Sequence, residues 1–232
     1  MTSSNIVNIS WPCNSVVASK RVENAIKHVL HRKGEWGRGR DLPPERLDEI
    51  QKACNRHGVT LYQALSFRRG LLRSFNRAKF HQSSAMGSDR GQQDVASLFE
   101  EAVVAYLRSC LGTNPGIFLT EEELLAEMRA GKRDRGPTPD VLFLKPVKIN
   151  GVLVNWLDAK QYYASAILAH NKAIPNGKLK NQAFRYNEKY GTGAFVFARG
   201  FCAELSSIVD NTLLLDATPL DMSAIEAYQD AS

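Results

Sequence analysis

The stretch Thr138–Lys160, TPDVLFLKPVKINGVLVNWLDAK, decides the fold, and it predicts a β-hairpin. Two apolar runs rich in β-branched residues flank Asn150-Gly151, the dipeptide that best supplies the positive φ angles of a two-residue hairpin turn. The residues on either side of such a turn pair directly, so Ile149 should lie opposite Val152. The two ends of the stretch then meet at the open end of the hairpin.

The open end of the hairpin carries Asp140, Asp158 and Lys160. Lys145-Pro146 interrupts the first strand, and proline within a strand is tolerated mainly at edges and bulges. One extra residue at this bulge would shift the alternation of side chains so that Asp140 faces Lys160. We therefore expect two carboxylates and an ammonium group to converge.

This group of charges suits a divalent metal ion. Mg²⁺ and Mn²⁺ prefer oxygen ligands and keep several waters, and either ion would polarise a phosphoryl oxygen and lower the pKa of a water molecule. Lys160 would hold that water or offset negative charge in the transition state. The alternative is that a Pro-Asp pair followed by Asp-x-Lys is a short pattern that arises by chance. Because both acids end apolar runs, where an unpaired charge is costly, we favour a functional site.

The composition is that of an ordinary globular protein. The chain has 232 residues, 44% of them hydrophobic, which is enough for one sizeable domain with or without a small helical one. No apolar run approaches the roughly 18 residues of a membrane helix, and the first residues lack the apolar core of a signal peptide. The cysteines are scattered singly, without the spacing of a zinc site or a disulfide framework. These features predict an intracellular protein with no membrane segment.

Charge is distributed unevenly along the chain. Residues 1–94 carry 16 Lys and Arg against 8 Asp and Glu, whereas residues 95–232 carry 14 against 16. A basic N-terminal region fits a phosphate-binding module joined to a catalytic one. It fits equally well a helical region with a solvated basic surface.

We predict three parts: a disordered tail over residues 1–18, a helical, helix-turn-helix-like region over 19–86, and a catalytic domain over 87–232. The apolar spacing within residues 43–75 predicts two helices separated at His57-Gly58. The second helix carries several arginines, so it is either a DNA-recognition helix or the solvated face of a support domain.

The pattern over residues 87–232 predicts an α/β fold, a mixed sheet flanked by helices. A strongly amphipathic helix before the hairpin contains Glu100 and Glu101, and an acid at the edge of its apolar stripe could reach the hairpin. A helix after the hairpin places Gln182 and Tyr186 one turn apart on the same face.

The order of these residues resembles the PD-(D/E)XK nuclease superfamily: a helix with a glutamate, then Pro139-Asp140, then Asp158-Ala159-Lys160, then Gln182-x-x-x-Tyr186. More narrowly, the segments TPDVLF, VNWLDAK and YGTGAFVFARGFCAEL resemble the eukaryotic codanin-interacting nuclease family, which is related to archaeal Holliday-junction resolvases. The similarity covers about residues 45–216 and is strongest over 138–205.

The resemblance implies a restriction-endonuclease-like core and a DNA endonuclease that hydrolyses phosphodiester bonds with Mg²⁺ or Mn²⁺, with structure-selective cleavage of branched or flap DNA. It also implies a codanin-like protein partner, a homodimer as in resolvases, and a nuclear location with the cytoplasm as a second one. The alternative comes from a different class: a catalytically weak nucleic-acid-binding or scaffold protein that acts through its codanin-like partner.

Carried over to this chain, the resemblance assigns roles to a small set of residues. The metal ligands would be Asp140, Asp158 and a helix acid, for which Glu101 is the best match and its neighbour Glu100 the alternative. The full catalytic set would be Asp140, Asp158, Lys160, Gln182 and Tyr186. The last two members would orient the attacking water or the scissile phosphate.

Overall fold

The computed structural model describes residues 6–14, 16–17, 19–30, 42–61, 63–65, 67–68, 71, 89–112, 116–169 and 175–230. Within them the helices are α1 (Lys20–Leu30), α2 (Pro44–His57), α3 (Asp89–Leu111), α4 (Glu121–Arg129), α5 (Leu179–Tyr190) and α6 (Ser223–Asp230). The strands are β1 (Val7–Ile9), β2 (Val16–Val17), β3 (Phe118–Thr120), β4 (Val141–Ile149), β5 (Val152–Lys160), β6 (Gly193–Phe197), β7 (Phe201–Cys202) and β8 (Thr212–Asp216). None of these helices is both long and apolar enough to cross a membrane.

The core is a mixed sheet with the strand order β1-β4-β5-β6-β8, and β3 joins it beside β4. Strands β1 and β4, β5 and β6, and β6 and β8 pair in parallel, whereas β4 is antiparallel to β3 and β5. Helices α3 and α6 contribute to the apolar cluster on one face of the sheet, and α4 and α5 to the cluster on the other. The predicted mixed sheet flanked by helices is confirmed.

The hairpin of β4 and β5 turns at Asn150 and Gly151, whose φ angles are 49° and 82°. Ile149 pairs with Val152, as the two-residue turn requires. The local part of the hairpin prediction is therefore confirmed.

The bulge in β4 is larger than the single residue expected. Leu142 pairs with Trp156 and Val147 with Val154, so β4 advances five residues where β5 advances two. Within the bulge, the backbone N–H of Leu144 donates to the carbonyl of the residue just before β3, at 2.8 Å. Pairing with a third segment therefore sets the size of the bulge.

The predicted disordered tail over residues 1–18 is wrong for its central part. Strand β1 pairs in parallel with the end of β4, and the buried Trp11 donates from Nε1 to the backbone carbonyl of Asp216 at 2.8 Å. The Asn150 side chain accepts from the Trp11 N–H and donates to the Trp11 carbonyl, each at 2.8 Å. These contacts hold the segment against the sheet. Strand β1 has only three residues, and so short an alternation of apolar residues does not identify a strand from the sequence.

The helical region contacts the sheet domain through the segment after β5. Residues of α1 and α2 form an apolar cluster with Tyr163, and α2 ends at His57 as predicted, with Gly58 in the left-handed conformation at φ 63°. The predicted recognition helix is described only in part. In that part Arg68 is 5% exposed, and Arg69 with the arginines after it lies outside the described residues. The helix-turn-helix arrangement stays a prediction.

Candidate active site

The two aspartates meet at the open end of the hairpin. Because the first residue of β4 pairs with Leu157, the larger bulge places Asp140 opposite Asp158 and not opposite Lys160. The Asp140 carboxylate accepts a hydrogen bond of 2.5 Å from the backbone N–H of Ala159, and the charge of Asp158 acts on it directly. The structure brings the two carboxylates together.

Asp158 is 2% exposed, and both of its oxygens have partners. The Lys160 ammonium contacts Oδ1, and the Gln182 amide donates to Oδ2 at 3.0 Å. Residues two apart in a strand share a face, which explains why the lysine reaches the aspartate. The same ammonium lies 5.5 Å from the centre of the Phe195 ring, within the distance of a cation–π contact.

Gln182 and Tyr186 connect the active site to the loop before β4. The Gln182 amide also lies 3.0 Å from the Tyr186 hydroxyl, and that hydroxyl donates to the Thr138 carbonyl at 3.0 Å. The Tyr186 ring meets Trp156 edge-on, with the ring centres 4.9 Å apart. Burial raises the pKa of Tyr186 well above its usual value, so its hydroxyl stays protonated and can donate. The chain of contacts fixes the orientation of Asp158.

Trp156 packs against Tyr186, and its indole ring requires a glycine at position 193. A Cβ atom at Gly193 would lie 2.0 Å from the indole ring, a distance that no side chain tolerates. The indole Nε1 donates to the carbonyl of Gly191 at 2.8 Å. The YGTG segment that leads into β6 therefore both leaves room for the indole ring and accepts its hydrogen bond, which holds Trp156 against Tyr186.

Of the two glutamates in α3, the structure brings Glu100 to the cluster. Burial raises the pKa of Glu100, and the charges of Glu121 and Asp158 raise it further. The charge of Glu100 also raises the pKa of Asp140. Glu101, which the resemblance favours, is exposed to solvent.

Glu121 is a further acid at the site that sequence reasoning missed. Its backbone N–H donates to the Asp140 carbonyl at 3.0 Å, and its carboxylate accepts from the Thr138 hydroxyl at 2.7 Å. A capping box that begins at Thr120 makes Glu121 the first residue of α4. The capping box signals the helix start, but the proximity to Asp140 depends on β3 pairing with β4.

Negative charge exceeds positive charge at this site. Burial and then the charge of Asp158 raise the pKa of Asp140 to about 8, although Lys160 and the Ala159 N–H lower it. A divalent cation would relieve this repulsion, and carboxylate oxygens are the ligands that Mg²⁺ and Mn²⁺ prefer. Among the described residues, no three His, Cys, Asp or Glu side chains are already grouped closely enough to hold an ion. Two carboxylates with waters are nevertheless a usual shell for Mg²⁺, so the donor set fits.

Two curated proteins resemble parts of this chain. An uncharacterized protein of Acanthamoeba polyphaga mimivirus is 32% identical over 126 residues, which are 53% of this chain and 40% of the viral protein. CDAN1-interacting nuclease 1 of Danio rerio is 28% identical over 89 residues, which are 38% of this chain and 28% of the fish protein. The chain thus spans less than half the length of either relative. No solved structure matches it significantly.

A family model described as "Protein of unknown function TPD sequence-motif" matches residues 81–218. This segment is more than half of the chain, and it includes the tripeptide Thr138-Pro139-Asp140, both strands of the hairpin and the acids of α3. All the side chains grouped at the open end of the hairpin therefore lie within the matched segment, and the chain belongs to the TPD-motif family.

Proposed function

We propose that this protein is a nuclease that hydrolyses phosphodiester bonds of DNA with the help of a divalent metal ion, on a restriction-endonuclease-like core. The observation that carries the proposal is a pair of mutually repelling carboxylates, the half-buried Asp140 and the buried Asp158, with Lys160 beside them. Two further facts support it: the order of these residues resembles the PD-(D/E)XK superfamily, and the Danio rerio relative is named a nuclease.

Asp140 and Asp158 would hold Mg²⁺ or Mn²⁺ together with waters, and Glu100, in place of Glu101, would be the helix acid beside the ion. When bound, the ion would polarise the scissile phosphate and make a water molecule more acidic. Hydrolysis adds that water across one P–O bond. The water oxygen bonds to phosphorus, and the ester oxygen leaves with a proton, so that one fragment ends in a phosphate and the other in a hydroxyl group.

Lys160 would stabilise the negative charge that develops on the phosphoryl oxygens. An ammonium group has three N–H donors, so one of them can remain on Asp158 while another contacts a phosphate oxygen. The ion pair with Asp158 holds the lysine in place before substrate binds. This arrangement avoids the cost of reorganising the charge during the reaction.

Gln182 and Tyr186 would act as positioning residues. The Gln182 amide fixes the Oδ2 oxygen of Asp158, and the Tyr186 hydroxyl fixes the amide. Because Tyr186 also donates to the Thr138 carbonyl, it connects α5 to the loop that carries Asp140. Loss of either contact would loosen the angle between the two carboxylates.

The test is cleavage of end-labelled single-stranded, duplex, flap and four-way-junction DNA in Mg²⁺, Mn²⁺ or EDTA. Wild type should cut at least one substrate in metal and none in EDTA, and Asp158→Asn should abolish cutting. Asp210→Asn removes a carboxylate that is exposed elsewhere on the surface, so this control should cut at the wild-type rate. If wild type binds these DNAs but cuts none, the nuclease proposal fails and the binding or scaffold function replaces it.

The name of the Danio rerio relative also motivates a protein partner for this chain. We propose a codanin-like protein as that partner, and a homodimer as the form that makes paired cuts. Co-precipitation with a codanin-like protein tests the first idea. Light scattering with and without junction DNA tests the second, and a monomeric mass in both conditions would contradict it.

A further inference from the structure

A groove of about 680 Å³ opens directly beside the active site. One wall is formed by α5 and the turn before it, which contribute Lys178 and Arg185, and the other wall is formed by residues 136–138. Gln182 and Tyr186 also line the groove, and both belong to the active site. A ligand in the groove would therefore be continuous with one at the two aspartates.

The groove is positively charged where it leaves the active site. Lys178 and Arg185 are exposed, and the described residues that line the groove include no acid. Neither cation forms an ion pair with another residue in the described part of the chain. Their charges are thus available to an anionic ligand, in contrast to that of Lys160, which contacts Asp158.

The positions along α5 explain how one helix serves both sites. At about 100° per residue, Lys178, Gln182 and Arg185 fall on one face. With a rise of about 1.5 Å per residue, Lys178 lies roughly 6 Å along the axis from Gln182 and Arg185 roughly 4.5 Å on the other side. Two cations therefore flank the residue that contacts Asp158.

An exposed aromatic residue lies on the next flank of α5, outside the groove and beyond its residue Asn181. Phe184 is 65% exposed, the most exposed of the large apolar side chains described. It lies about 60° round the helix from the groove residue Asn181, on the side away from Tyr186. An aromatic ring next to a cationic groove is the combination that binds unpaired nucleotides, because bases stack on the ring while cations contact the backbone.

The size of the groove suits a single strand. A volume of about 680 Å³ lies within the roughly 300–1,000 Å³ of pockets that enclose small ligands. Such a space is large enough for a few nucleotides of a single strand. Stacking on Phe184 also requires a base face that pairing in a duplex keeps covered.

We propose that this groove binds a single polynucleotide strand next to the scissile phosphate, with Lys178 and Arg185 on its phosphates and Phe184 stacked on an unpaired base. The inference rests on the nucleic-acid substrate of the proposed function. It adds the substrate class to that function: nucleic acid with an unpaired segment beside the cleavage point.

The role of Lys178 and Arg185 is tested by fluorescence anisotropy with a labelled oligothymidylate and the 232-residue chain in EDTA, where binding is measured without cleavage. For single strands each phosphate contact contributes about 0.7 to the slope of log K against log salt concentration. The double variant Lys178→Gln/Arg185→Gln should therefore bind more weakly and with a slope shallower by about 1.4. The control Arg108→Gln/Lys145→Gln removes the same two charges at exposed positions outside the groove and should leave the slope unchanged.

The stacking part is tested with Phe184 variants in the same assay. Phe184→Ala should weaken single-strand binding about tenfold with no change in the salt slope, because no charge is removed. Phe184→Trp should restore the affinity, since the larger ring still stacks. A blunt duplex of the same sequence should bind Phe184→Ala and wild type equally well.

Any of three results would contradict single-strand binding in the groove. The first is a wild-type salt slope in Lys178→Gln/Arg185→Gln, and the second is wild-type affinity in Phe184→Ala. The third is that both variants weaken binding of the blunt duplex as much as binding of the single strand. These results are independent of the nuclease proposal, because they are obtained without metal. If the groove variants behave as expected and wild type never cuts in Mg²⁺ or Mn²⁺, the groove stands and the nuclease fails. If wild type cuts and the groove variants bind like wild type, the nuclease proposal stands and the groove proposal fails.

Discussion

Two acids in this protein, the buried Glu23 and the half-buried Asp140, differ in what surrounds them. Glu23 in α1 is fully buried, and burial raises its pKa to about 7. Its oxygens accept hydrogen bonds from the Tyr163 hydroxyl at 2.9 Å, the Ser165 hydroxyl at 3.0 Å and the Ile167 N–H at 3.1 Å. Burial raises the pKa of Asp140 as well, but the next cause is the charge of another carboxylate.

The difference separates a structural acid from one arranged for a ligand. The contacts of Glu23 are neutral donors that join the helical region to the segment after β5, and they leave its charge balanced only by hydrogen bonds. Asp140 has the charges of Asp158 and Glu100 acting on it. A proton can relieve either acid, since the pKa of both is raised, but at Asp140 a second carboxylate is also present to share a divalent cation.

The largest expected effect is at Lys160. Lys160→Met removes the charge while keeping most of the side-chain volume, so cleavage should fall by about 10²–10³-fold. Lys145→Met changes an exposed lysine of the same hairpin and should cut at the wild-type rate. Single-turnover rates on the best DNA substrate give the measurement, and similar rates for the two variants would contradict the role of Lys160.

The next effect is on stability, at Glu23. Glu23→Ala leaves two hydroxyl groups and one N–H buried without their acceptor, which should lower the free energy of unfolding by about 3 kcal/mol. Asn24→Ala, at the exposed neighbouring position, serves as the control in the same urea titration. Asp140→Asn should act in the opposite direction in EDTA, because it removes a carboxyl group that burial and then the charge of Asp158 make costly to ionise in the folded protein. Destabilisation of equal size by Glu23→Ala and Asp140→Asn would mean that the two acids do not differ as described.

A pH dependence should follow from the raised pKa of Glu23. The folded protein holds the proton up to about pH 7, and the unfolded chain releases it near 4.5. The stability linked to this proton is thus complete below pH 4.5 and is lost as the pH rises through 7. The facing groups, the Tyr163 hydroxyl and the Cys202 thiol, keep their protons over this range because burial raises the pKa of both.

Urea titrations of wild type and Glu23→Gln in EDTA, at several pH values from 4 to 8, measure this effect. The unfolding free energy of wild type should fall relative to that of the variant by roughly 2–3 kcal/mol as the pH rises. All other groups titrate in both proteins, so the difference isolates Glu23. Parallel curves would show that Glu23 is ionised throughout in the folded state.

The smallest effect distinguishes adjacent glutamates of α3. Glu100→Gln should slow metal-dependent cleavage about tenfold and raise the Mg²⁺ concentration that gives half the maximal rate. Glu101→Gln, the matched change at the exposed position, should stay within about twofold of wild type. The reverse order would restore the assignment that the resemblance favours.

The features predicted correctly from the sequence are local ones. Asn150-Gly151 fixes its own φ angles and the first pair of the hairpin, so no distant residue is needed to predict them. The helix end at His57-Gly58 is local for the same reason. The bulge size is different, because Leu144 donates to the segment before β3, which lies more than 20 residues earlier.

The site was predictable only in the features that depend on local sequence. Residue types and order single out Asp140, Asp158 and Lys160, but the partner opposite Asp140 follows from the bulge. Adjacent residues of a helix differ by only about 100°, so the sequence could not choose between Glu100 and Glu101. Packing of α3 on the sheet makes that choice.

The most direct test of a metal-dependent site at the hairpin is the initial rate of DNA cleavage as a function of Mg²⁺ concentration in wild type, Asp158→Asn and Glu23→Gln. We expect a rate that saturates with Mg²⁺ in wild type and in Glu23→Gln, measured below the unfolding temperature of both, and no cleavage in Asp158→Asn. Cleavage that persists in EDTA, or that Asp158→Asn retains, would contradict the claim that the acids at the open end of the hairpin form a metal-dependent hydrolytic site.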